Sequence, residues 1–207
     1  MKFAAKPQRF PPRTKRVLHW SRHLLFITGI LALGFVGFTM LDARLYQASA
    51  MRSLDNQIRT ERQHQSTQPR PPAKQGDVLG RMDIPRLGLS VAVLQGTNSR
   101  ILRRGVGHIE STPFPGELGN SGIAGHRDTF FRGLKDIHTN DEINLQTATG
   151  LLRYKVDSMK VVPPDDGSIL APSSESALTL VTCYPFYLVG PAPKRFVVHA
   201  TRNRPPY

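Results

Sequence analysis

Cysteine is almost absent from this chain: one, Cys183, in 207 residues. No disulfide can therefore form within it, and no cysteine cluster can hold a metal. Acidic residues are missing from the first 23 positions, which carry Lys2, Lys6, Arg9, Arg13, Lys15, Arg16 and Arg22. Charge of either sign is missing from Leu24 to Leu41. Repeats are absent, and the only biased tract is a short Gln/Pro-rich one. Each gap narrows the reading. Eighteen uncharged residues rich in Leu, Ile, Phe and Gly extend about 27 Å as a helix, close to the hydrocarbon thickness of a bilayer. Trp20 stands where an indole favours the headgroup level.

A basic flank beside an apolar span argues for topology, not nucleic acid. Lys and Arg stay cytoplasmic, so the sequence predicts a single-pass plasma-membrane anchor with everything after Leu41 outside the cytoplasm. Ala48-Ser49-Ala50 has the small-x-small form of a signal cleavage site. The apolar run, however, is longer than a signal core, and the site lies well past its end. An uncleaved anchor is the better reading. The formal charge of +13 is mostly this flank, which contributes +7; residues 77–207 hold fifteen basic against twelve acidic side chains. The folded part is thus not a basic binding face.

Four regions follow: a basic tail at 1–23, a span at 24–41, a juxtamembrane segment at 42–76 and one domain at 77–204. Leu45, Ala48, Met51, Leu54 and Ile58 recur every three or four residues, which reads equally well as the helix continuing beyond the span or as fraying into coil. Gln63 to Gln75, with Pro69-Arg70-Pro71-Pro72, reads as an extended linker. The domain shows short apolar runs broken by Gly, Pro, Asn and Asp. They are Val78–Ile84, Leu89–Leu94, Val106–Ile109, Gly122–Ala124, Glu142–Leu145, Leu151–Val162, Leu178–Thr182 and Arg195–Ala200. Such a pattern predicts a mainly β, mostly antiparallel barrel with short helices in its connections. Asn98-Ser99 caps one of these helices, running to Arg104, and a second is expected near Phe130–Leu134.

Thr179-Leu180-Val181-Thr182-Cys183-Tyr184-Pro185 reads as a buried strand with Cys183 at its C-terminal lip, ended by Pro185. A free thiol has a pKa of about 8.5, and a neighbour that lowers it produces a strong nucleophile. Taken alone, the residue reads equally well as a small core hydrophobe. His126 stands in Gly122-Ile123-Ala124-Gly125-His126-Arg127-Asp128, where small residues lead an imidazole to a strand end. An imidazole titrates near neutrality, so it can hold a thiolate and later protonate a leaving amine. Asn120 and Ser121 upstream are placed to hydrogen-bond nearby backbone or the ring. His108, His138 and His199 are rivals without the glycine-lined strand end. Arg195, opening the last strand, offers a guanidinium that can stabilise an oxyanion.

Thr-Leu-x-Thr-Cys, an upstream Gly-x-x-Gly-His and an Arg twelve residues after the Cys together resemble the sortase family of cysteine transpeptidases. The resemblance is to the class D group through Gly125-His126-Arg127-Asp128-Thr129-Phe130-Phe131, Val181-Thr182-Cys183-Tyr184-Pro185-Phe186 and Gly190-Pro191-Ala192-Pro193-Lys194-Arg195. It implies an eight-stranded barrel with His126 as general acid, Cys183 as nucleophile, Arg195 as oxyanion or substrate stabiliser and Thr182 lining the substrate groove. It also implies cleavage of an L-P-x-T-G-like signal near the C-terminus of a secreted protein. The acyl group would pass to an amine on the cell envelope or on a pilin subunit. Some sortases hold calcium on acidic loop residues; Asp165 and Asp166 here read as a turn, and neither metal nor cofactor is expected. The alternatives are an exported cysteine peptidase with water as acceptor, and a tethered binding domain whose thiol is buried and inert.

Overall fold

The structure, a computed structural model, describes residues 12–63 and 73–203. Residues 1–11 of the expected tail at 1–23 and most of the linker lie outside the described residues. Helix α1, Pro12–Gln63, carries the candidate span Trp20–Phe38, whose mean hydropathy is 1.6 and whose side chains are unburied. Trp20, Leu24, Phe26, Leu33 and Phe38 are all exposed, which suits lipid rather than water as their surroundings.

Eight strands form a closed barrel. They are β1 Val78–Ile84, β2 Leu89–Gln95, β3 Val106–His108, β4 Gly119–Ala124, β5 Glu142–Thr147, β6 Gly150–Val162, β7 Ser176–Tyr184 and β8 Lys194–Arg202. Around the barrel the order is β1-β2-β3-β4-β7-β8-β6-β5, closed by β5 on β1. All eight expected runs became strands. Six of the pairings are antiparallel, whereas β2–β3 and β4–β7 are parallel. Each parallel pair needs a crossover, and α2, Ser99–Leu102, lies in the shorter one. Asn98 caps α2 as its sequence predicts, its side chain accepting from the backbone N–H groups of Arg100 and Ile101. The helical turn expected at Phe130–Leu134 is a 3-10 turn at Arg132–Asp136.

The interior is filled from alternate positions of each strand. Leu152, Tyr154 and Val156 of β6, Leu178 and Leu180 of β7, and Val198 and Ala200 of β8 all belong to one core cluster. Burying each such side chain contributes about 1.5–3 kcal/mol. Beta-7 is buried on its outer face as well, because the segment before it lies across Asn120 and Thr179. The Asn120 side-chain amide donates to the carbonyls of Ile169 and Ala171, and Thr179 Oγ1 donates to Asn120 Oδ1 at 2.7 Å. Of the two partners expected for Asn120, backbone or the imidazole ring, the structure shows backbone. Asn120 is spent on closing this loop, and Ser121 Oγ is buried without a partner among the described residues.

The continuation of α1 beyond its apolar span packs on the barrel. Ala50 is buried against Ala92, Leu94 and Ile101, with Tyr46 and Met51 beside them. Gln47 Oε1 accepts from the Ala92 N–H at 2.8 Å, while its amide donates to the Arg104 carbonyl. Pairing between β2 and β3 begins only at Val93. The Gln47 side chain therefore supplies a rung that the short β3 cannot, and satisfies a backbone donor that would otherwise be buried and bare.

His108 closes β3. It is 1% exposed, stacks on Phe114 and shares hydrogen bonds with Gln95 and the Pro113 carbonyl. Burial holds its pKa below the usual histidine value. The unfolded chain then takes up a proton below about pH 6.5 that the native state resists. The stabilising contribution is full above pH 6.5 and is lost as pH falls through the lower folded value. Thermal melts should therefore drop between pH 7.5 and pH 5, and His108→Gln should flatten that slope. An unchanged slope in the variant would place the acid sensitivity elsewhere.

Candidate functional site

The site is assembled where three neighbouring strands end. Cys183 lies one residue inside the end of β7, slightly deeper than a terminal lip, and is half-buried. Its partner across the antiparallel β7–β8 ladder is Arg195, the second residue of β8. Side chains directly opposite on one face sit about 4.5–5.5 Å apart at Cβ, so thiol and guanidinium share a face. On the other side, β4 runs parallel to β7 with Ala124 opposite Val181. A further bond from the Gly125 N–H to the Val181 carbonyl, 3.1 Å, carries that register one step on. His126 follows immediately, level with Cys183. The three sequence-predicted residues are therefore brought together at one end of β4, β7 and β8.

Local packing fixes where the histidine leaves its strand. A Cβ on Gly125 would meet the Phe131 ring at 2.6 Å, so only glycine admits this close approach. The Phe131 N–H donates back to the His126 carbonyl at 3.0 Å, folding the following turn beneath the ring-bearing residue. Phe131 itself is fully buried. Among the described residues no hydrogen bond engages the His126 imidazole or the Cys183 thiol.

Thr182 is placed otherwise than as a groove-lining donor. It is 2% exposed, in phase with the inward Leu178 and Leu180, and its hydroxyl donates to the Gly125 carbonyl at 2.8 Å. Strand alternation makes the reason plain: with Cys183 outward, its neighbour must point in. The hydroxyl is committed to bracing the residue before His126.

The rival histidines are elsewhere. His108 is core, His138 lies exposed after the 3-10 turn, and His199 Nδ1 pairs with Asp157 at 3.1 Å. Arg195 Nη1 donates to the carbonyls of Ala192 and Lys194 at 3.3 and 3.0 Å. Asp166 caps the turn before β7 through Ser168, which holds its carboxyl below the usual range. No three His, Cys, Asp or Glu side chains converge among the described residues.

A groove of about 510 Å³ opens on the same outer face, lined by Asn120, Lys160, Ile169, Ser173, Thr179 and His199. Thr179 and His199 are cross-strand partners four residues before Cys183 and four after Arg195. At a rise of about 3.3 Å per residue, an extended peptide of four residues spans that distance.

The family model described as the sortase domain matches residues 82–203. The chain belongs to the sortase family. Sortase D of Bacillus subtilis (strain 168) is 30% identical over 192 residues, covering 86% of this chain and 96% of that one. Sortase A of Bacillus anthracis is 27% identical over 125 residues, 58% of each. Among solved structures, a Clostridium perfringens sortase D5 transpeptidase superposes with a TM-score of 0.66 at 26% identity, covering 77% of this sortase and 99% of that chain. A Clostridium perfringens sortase C solved with a C-terminal cell wall sorting motif gives a TM-score of 0.60 at 27% identity, covering 75% and 88%. Sortases are cysteine transpeptidases, and this sortase has a single cysteine to offer the reaction.

Arg127 directly follows His126. It is 9% exposed, and its Nη2 donates to the carbonyls of Leu188 and Gly190 at 2.6 and 2.7 Å. Position within Gly-His-Arg-Asp was its only sequence signal, and an arginine in a loop ordinarily reads as solvated.

Proposed function

We propose that this sortase cleaves an L-P-x-T-G-like signal near the C-terminus of secreted proteins and transfers the acyl group to an amine. The observation that carries the reading is the strand register, in which the only thiol faces Arg195 across β7–β8 and lies level with His126 beyond β4. Cys183, as thiolate, attacks the threonine carbonyl carbon, and the carbonyl π pair moves onto oxygen. Arg195 turns from the loop carbonyls to that oxygen, matching a fixed positive charge to a developing negative one. Collapse reforms the carbonyl and breaks the C–N bond, and His126 delivers its proton to the departing amine. The thioacyl-enzyme is then attacked by an incoming amine, which gives its proton to His126 and expels the thiolate. Thr182 positions His126 by holding the Gly125 carbonyl.

The anchor places the reaction at the membrane. Residues 24–41 cross it with the N-terminus cytoplasmic, and the barrel works on the cell surface or in a periplasm. The acceptor amine belongs to the cell envelope or to a pilin subunit.

The test uses the full chain in detergent with a quenched Leu-Pro-x-Thr-x peptide library, with and without an added amine, and products identified by mass. Amide-bonded product is expected to accumulate only with amine. Hydrolysis product alone, at every amine concentration, would make the enzyme a peptidase with water as acceptor.

A further inference from the structure

The loop between β7 and β8, residues 185–193, joins Cys183 to Arg195 and so sets their environment from both feet. Its tip is poorly supported by its own packing. Tyr187 is 86% exposed and Val189 96% exposed, and the loop's internal bond, Leu188 N–H to the Pro185 carbonyl, is a long 3.4 Å. Phe186 packs the foot after Cys183 against the core and Phe196, and beyond it two guanidinium groups hold the loop. Arg195 holds the Ala192 carbonyl near one foot, and Arg127 holds the Leu188 and Gly190 carbonyls in the middle.

The two differ in burial and in strength. Arg195 is half-buried and its bond to Ala192 is 3.3 Å, so it can leave at modest cost. Arg127 is nine-tenths buried with bonds of 2.6 and 2.7 Å, in the range of charge-assisted pairs. Desolvating a guanidinium that forms no ion pair among the described residues costs several kcal/mol, which an apolar residue of similar volume would avoid. Its Nη1 is moreover buried without any acceptor among the described residues. The arrangement is thus poor as a device for stability, and its geometry points elsewhere.

We infer that Arg127 is a positioning residue of the transpeptidation reaction: it clamps the middle of the β7–β8 loop to the residue following His126, keeping the loop seated while Arg195 leaves Ala192 for the substrate. The inference rests on the reading of Cys183, His126 and Arg195 given above. The unpaired Nη1 accounts for a clamp with reserve, since one more loop carbonyl can turn onto it without a new side chain. Gly190, whose carbonyl Nη2 already grips, suits the loop side of the clamp. Its φ of +101° is open to glycine and strained for other residues, and a Cβ there would meet nothing.

The experiment compares wild type, Arg127→Met, Arg127→Lys and Gly190→Ala as full chains. Turnover is read on whichever Leu-Pro-x-Thr-x peptide the wild type cleaves fastest, and chymotryptic nicking at Tyr187–Leu188 is read without substrate. Arg127→Met should be nicked at least about tenfold faster and lose about 10²-fold in kcat, as small misplacements of reacting groups do, with KM within about twofold. Arg127→Lys should recover part of both, since an ammonium reaches one carbonyl but cannot fork. Gly190→Ala should reproduce both defects from the loop side, and being exposed it keeps the test alive should Arg127→Met not fold. Wild-type nicking rates in both Arg127→Met and Gly190→Ala overturn the clamp even if no peptide is ever turned over. Faster nicking with unchanged kcat overturns the positioning role. A wild type that turns over no peptide overturns the proposed function instead, and the nicking comparison still decides the clamp.

Discussion

The Cys183→Ala protein is expected to fold as the wild type and to cleave no peptide. Cys183 borders the core without filling it: the inward positions beside it are Thr182 and Leu180, and the thiol lies on the outer face opposite Arg195. Removing one sulfur there leaves no enclosed void, so melting should shift little. Activity, by contrast, has no substitute nucleophile in a chain with a single thiol. Turnover should fall on the order of 10⁴-fold or more, to background, as it does when a nucleophile is removed. Cys183→Ser should be equally dead, because a hydroxyl is not ionised near neutrality and the thiolate is the attacking species. A thiol-directed alkylator should label native wild type once and abolish turnover, and peptide should give a thioacyl adduct by mass that neither variant forms. Resistance of the native thiol to alkylation while peptide is still cleaved would remove Cys183 from the mechanism.

His126→Ala is the second severe loss. Acid–base groups supply about 10²–10⁴-fold, and in the proposed reaction one imidazole both protonates the leaving amine and deprotonates the incoming one. The loss should fall mainly in kcat, since the side chain handles protons and not peptide binding. The control is the other three histidines in the domain. His138→Ala and His199→Ala should turn over within a fewfold of wild type, because one is an exposed loop residue and the other pairs with Asp157. His108→Ala should lose stability before activity, its ring being buried between Gln95 and Pro113. A loss at any of these comparable to His126→Ala, with native melting, would move the general acid.

The strands were legible because period-two alternation and turn residues are local signals, and β6 shows them most clearly, burying Leu152, Tyr154 and Val156 in turn. The Asn98 cap was legible for the same reason. The parallel pairings were not: nothing near β4 in sequence says that its partner is β7, since that choice is made by closure of the whole barrel. Cys183, His126 and Arg195 came from spacing and resemblance. The inward placement of Thr182 had a sequence signal, because it shares the phase of Leu178 and Leu180 and must point with them. The particular partners of Asn120 and Arg127 could not be read. Their partners, the carbonyls of Ile169, Ala171, Leu188 and Gly190, belong to loops that reach them only in the folded chain.

The parallel β4–β7 pair also has a temporal consequence. Beta-1 with β2, and β5 with β6, are joined through a few residues and can zip as hairpins. The bond between Thr182 and Gly125 joins groups 57 residues apart in sequence. Closing so large a loop is paid in entropy before the contacts return it, and such pairings form slowly. During refolding, hairpin structure should therefore precede proximity of thiol to imidazole. If the proposed mechanism holds, nucleophilic reactivity is among the last properties the folding chain acquires.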